Sequence, residues 1–98
     1  MTDMMPVSPG EVLLEEFLKP LGVSQYRLAK SIKVPASRIH DVIHIQRPIT
    51  AELALRLARF FGTDAQSWIN LQTYYELKLA EIRLADRVSA EVTPLSAL

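Results

Sequence analysis

Two amphipathic segments, about Gln25–Ile32 and Pro35–His44, stand two residues apart, and that short joint constrains the fold more than any other feature. In the first, Ser24 is a capping residue, and Leu28, Ala29 and Ile32 recur at helical spacing. In the second, Pro35 suits a first helical position, where its missing N–H has no intrahelical partner, and Ile39, Val42 and Ile43 form the apolar stripe. Lys33-Val34 is the whole joint. Two short helices linked by so tight a turn form a helix-turn-helix unit.

The flanking chain reads as helix too. Ser8-Pro9-Gly10-Glu11 combines a cap, a proline at the first helical position and a Glu three residues after the cap, predicting a helix over about Pro9–Lys19 that Pro20 and Gly22 end. Arg47-Pro48 closes the second helix of the pair, because a residue before proline is pushed out of the helical region. Thr50 caps a helix of about Ala51–Phe61, with Leu53, Ala54, Leu57, Ala58 and Phe61 inward and Gly62 at its end. Thr63 with Gln66 makes a further capping box. From Asp64 a stripe of Trp68, Leu71, Tyr75, Leu79 and Ile82 continues to about Val88, with Tyr74 also a core candidate. At about 1.5 Å per residue those roughly 25 residues span about 37 Å, more than a domain with a radius of gyration of about 13 Å covers. The far half therefore needs a partner. The expected organisation is a flexible 1–8, an all-α five-helix unit over 9–88 with an extended C-terminal helix, and a disordered tail over 89–98.

The 98 residues, 49% hydrophobic and 22% charged, suit one core and leave no room for two. Charges interrupt every apolar run, so no membrane span is expected, and the first residues lack the basic and apolar regions of a secretory signal. The chain has no Cys, and therefore neither a disulfide framework nor a thiolate metal site. A cytoplasmic protein is the expectation. Net charge is zero, but unevenly spread. Residues 1–18 carry Asp3, Glu11, Glu15 and Glu16 and no base. Residues 19–47 carry Lys19, Arg27, Lys30, Lys33, Arg38 and Arg47 against Asp41 alone. A basic island beside an acidic helix suggests one surface for a polyanion and another for something else.

The helix pair resembles the lambda-repressor-like (Cro/C1) family in Ser24-Gln25-Tyr26-Arg27-Leu28-Ala29-Lys30 and Val34-Pro35-Ala36-Ser37-Arg38-Ile39. The resemblance narrows through Pro9-Gly10-Glu11-Val12-Leu13, Glu16 to Gly22, Ile49 to Ala58, Phe61-Gly62-Thr63 and Trp68-Ile69-Asn70-Leu71-Gln72, which are similar to the HigA family of antitoxins over about residues 9–88. What this resemblance implies is a lambda-repressor-like DNA-binding fold, a homodimer that represses its own operon, and neutralisation of a RelE-like, ribosome-dependent mRNA-cleaving toxin. It implies neither cofactor nor small-molecule substrate. The chain departs from the family at two positions, with Lys33 and Ile45 where glycine is usual.

On the second helix, Ser37, Arg38, His40 and Asp41 are expected at base edges, Arg toward guanine and Asp toward a cytosine amino group, unless Asp41 steers Arg38 by an i,i+3 pair. Gln25, Arg27, Lys30 and Arg47 suit phosphates. Glu11, Glu15 and Glu16 are candidates for the toxin surface, although acids in a first helical turn also favour the dipole. Tyr75, Leu79 and Ile82 are candidates for pairing with a second copy around a two-fold axis. His40 and His44, at i and i+4, share a helical face that suits zinc, but Asp41 stands where the familiar motif has Glu and no motif marks a third ligand. No enzyme and no metal site is expected. Two other readings remain open: a stand-alone, phage-like repressor without a toxin, and a protein-interaction module that has lost DNA binding.

Overall fold

The computed structural model describes residues 5–97. Helix α1 consists of α-helical Pro9–Val12, a π-helical stretch Leu13–Leu18 and a last turn Lys19–Leu21. It is followed by α2 (Gln25–Ile32), α3 (Ala36–Ile43), α4 (Ala51–Phe61), the long α5 (Ala65–Glu91) and a 3-10 turn, Leu95–Ala97. Among the described residues there is no strand. No described helix is long and apolar enough to cross a membrane.

Side-chain caps set most of the helix starts. Ser8, Ser24 and Thr50 accept the N–H of Glu11, Arg27 and Leu53, as their positions predict. The cap of α5 differs from expectation. Asp64, not Thr63, accepts from the Ser67 N–H at 2.7 Å, while Thr63 Oγ1 accepts the indole N–H of Trp68 at 2.9 Å. The N–H and O–H of Ser67 together hold the Asp64 carboxyl below the ordinary carboxylate range.

Two boundaries also move. Pro20 does not end α1; it sits inside the last turn, and Gly22, left-handed at φ 65°, is the true stop. The π-helical stretch explains this, because Lys19 already donates to Leu14 five residues back, and the widened turn relieves the clash a proline ring makes in a regular helix. At the other end α5 runs on to Glu91, so residues 89–91 are helix rather than tail. Of the segment expected to be flexible, residues 1–4 lie outside the described residues, whereas Ser8 is buried as the cap of α1.

One core joins α1 to α5. Leu13 and Leu18 of α1, Leu28 of α2, Ile39 of α3, and Leu53 and Leu57 of α4 are its largest fully buried side chains. Each contributes roughly 1.5–3 kcal/mol by leaving water. Phe17 stands 4.9 Å from both Phe61 and Trp68 at the edge of this core. Gly10 brings α1 onto the end of α3 so closely that a Cβ there would lie 2.1 Å from the Val42 carbonyl oxygen. Beyond Tyr75 helix α5 leaves the core, which stretches the molecule to 55 × 31 × 21 Å with a radius of gyration of 16.7 Å.

Candidate nucleic-acid interface

The tight turn between α2 and α3 depends on a left-handed Lys33 at φ 63°, whose N–H returns to the Ala29 carbonyl. Pro35, extended at φ −61° and ψ 142°, caps α3 from outside rather than opening it, so the helix starts at Ala36. Ile39, Val42 and Ile43 anchor α3 in the core. Ala36, Ser37, His40 and His44 are exposed on its other side, with Arg38 and Asp41 half-buried on the flanks. The His40 and His44 rings lie 4.1 Å apart, tilted by 38°. Among the described residues, no group of three or more His, Cys, Asp or Glu gathers as a ligand set.

The flanking charges pair differently from the i,i+3 option. Arg38 does not meet Asp41. Its Nη2 donates to Thr50 Oγ1 at 2.8 Å, tying α3 to the cap of α4. Asp41 instead pairs with Arg47, Nε to Oδ2 at 3.2 Å, and the Asp41 carbonyl accepts the Gln46 N–H at 2.7 Å. These bonds fold the chain back after α3 through Ile45, left-handed at φ 62°. The Ile49 N–H then donates to Gln72 Oε1 at 2.8 Å, fixing the loop to α5.

The remaining candidates divide clearly. Gln25 is half-buried at the start of α2, and Arg27 and Lys30 are exposed along it. Glu11, Glu15 and Glu16 all face solvent on α1, with Glu15 paired to Lys19 at 2.7 Å. Tyr75 is buried against its own chain, with 8% of its surface exposed, and so has little to offer a second copy, whereas Leu79 is half-buried and Ile82 is 46% exposed. Tyr74, expected in the core, is 59% exposed.

A basic helix pair with an outward polar face has close counterparts. Residues 14–68 match the HTH_3 helix-turn-helix family model. Virulence-associated protein I of Dichelobacter nodosus is 56% identical over 79 residues, which cover 81% of this chain and 73% of that protein. Antitoxin HigA-1 of Vibrio cholerae is 34% identical over 76 residues, covering 78% and 71%. The solved structure of Pseudomonas aeruginosa antitoxin HigA with the higBA promoter is 41% identical, superposes with a TM-score of 0.88, and covers 92% of this chain and 98% of that one. The chain belongs to the HigA family of helix-turn-helix antitoxins. HigA proteins of this kind are DNA-binding regulators, and the five-helix fold with its long last helix is theirs.

Two residues outside the expected set border the α3 face, Ala36 and Thr50. Ala36 is exposed at the start of α3. Thr50 was legible as a cap, but its bond to Arg38 spans twelve residues, and no local pattern reports it.

Proposed function

We propose that this chain is the antitoxin of a two-protein module, a homodimer that binds operator DNA at its own promoter, represses transcription there and neutralises a RelE-like mRNA-cleaving toxin. The observation that carries the DNA reading is the outward face of α3, where Ala36, Ser37, His40 and His44 stand clear of the core. Ser37 and His40 lie at base edges, and Arg38, anchored on Thr50, keeps N–H donors to spare for guanine or a neighbouring phosphate. Asp41 reaches a cytosine amino group when Arg47 exchanges it for a phosphate. That exchange costs little, since an ion pair whose Arg47 side chain is 61% exposed is worth no more than about 1 kcal/mol. Gln25, Arg27 and Lys30 hold the backbone. Two α3 helices about 34 Å apart, related by a two-fold axis, read a pseudo-palindrome. Glu11, Glu15 and Glu16 face a toxin that is basic because it binds RNA. The promoter present in the P. aeruginosa HigA structure supports the reading.

Fluorescence anisotropy with the DNA upstream of the gene tests it. With about six phosphate contacts, log affinity is expected to fall with log salt at a slope near −5. A slope near zero overturns the DNA reading. Co-expression with the adjacent reading frame tests the other half: rescue of growth and copurification are expected, and their absence leaves a stand-alone repressor.

A further inference from the structure

Between α1 and the first half of α5 runs an open apolar groove that uses none of the residues on the α3 face. Two adjoining cavities of about 340 and 420 Å³ share Phe17, Ser67 and Leu71, and the second continues past Val12 and Glu16 to Tyr74. Phe17 and Leu71 are half-buried there, and Tyr74 is 59% exposed, so one aromatic ring stands open to water above an apolar floor. The rim is acidic. Glu16 lines one cavity and Asp64, held ionised by Ser67, lines the other, with Glu11 exposed on the same helix as Glu16. Glu15 is met by Lys19, but neither Glu11 nor Glu16 has an ion-pair partner among the described residues. Lys78, 5.5 Å from the Tyr74 ring beside the groove, is already paired with Glu81 at 3.3 Å.

We propose that this groove is the seat of the basic toxin, which places an apolar side chain against Phe17, Leu71 and Tyr74 and a neighbouring Lys or Arg against Glu16. The proposal rests on the antitoxin reading above and locates the partner on the chain. Charge selects the occupant. Nucleic acid is repelled by the carboxylates, and a second copy is a poor match, because contact around a two-fold axis sets the same acidic rim against itself. A protein that binds RNA carries the opposite charge, and an exposed Tyr beside an apolar floor is the kind of anchor on which binding energy concentrates. Because the groove and the α3 face share no residue, toxin and operator are expected to bind one chain together.

The test is binding of the purified product of the adjacent reading frame to the full chain and to two variants, Tyr74→Ala and Glu16→Lys, both at exposed positions. Each variant is expected to unfold at the wild-type temperature, to bind operator DNA as before, and to bind the toxin about tenfold or more weakly, Glu16→Lys mainly through slower association. If both variants bind as tightly as the wild type, the groove is not the seat, although the antitoxin reading stands. If the wild type forms no complex, the antitoxin reading and the groove fall together. Loss of the homodimer in Tyr74→Ala would instead assign the groove to a second copy and overturn the proposal.

Discussion

Two residues hold backbone conformations that their side chains disfavour. Lys33 and Ile45 are left-handed at φ 63° and 62°, and both close turns around α3, one before it and one after. For a β-branched side chain the strain is greatest, on the order of 1–2 kcal/mol. Ile45→Gly is therefore expected to stabilise the fold by about 1 kcal/mol, raising Tm by roughly 4–8 °C in a thermal melt. An unchanged or lower Tm would show that the exposed Ile45 side chain repays its strain through contacts. Asp64 has the opposite sign. Its native carboxyl titrates below its unfolded value, so its contribution is present above about pH 4 and lost as pH falls through the lowered native value. Asp64→Ala is expected to lower Tm at pH 7, and the gap to the wild type to narrow in melts below pH 4. The glycine-less turns were legible in the sequence as departures from a family pattern. The partners of Arg38 and Asp41 were not, because each bond depends on where a loop returns.

At the scale of elements, the helix pair was readable because its caps and stripes are local. The π-helical stretch of α1 was not, since nothing in Leu13–Leu18 announces it, and neither was the choice between Tyr74 and Tyr75. Neighbouring residues on a helix differ by about 100° in direction, and only packing against α1 and α3 decides which one turns inward. That packing depends on Gly10. A Cβ at this position meets the backbone of Val42 and Ile43, which has no rotamer with which to yield. Gly10→Ala is expected to cost about 3 kcal/mol, at the upper end of overpacking, and to weaken operator binding by displacing α3. Chemical denaturation and anisotropy on the same sample check both; a Gly10→Ala chain of wild-type stability would show that α1 shifts without consequence.

The whole molecule is organised by charge and by one overlong helix. Of the three glutamates of α1 and the exposed Arg27, Lys30 and Arg47, two stand in ion pairs, Glu15 with Lys19 and Arg47 with Asp41. Beyond Tyr75, helix α5 exposes Leu77, Ile82, Leu84 and Val88, surface consistent with the proposed dimer. Ile82→Asp is expected to shift the sedimenting species from dimer to monomer and to reduce operator affinity without unfolding the chain; a monomeric wild type would remove the two-fold operator model. The most direct measurement compares affinity for the upstream DNA with that for a scrambled duplex at fixed salt, in the wild type and in Ser37→Ala/His40→Ala. The expected result is that the double variant keeps its affinity for the scrambled duplex and loses most of the wild type's preference for the upstream sequence. An unchanged preference would contradict the assignment of the α3 face to base reading.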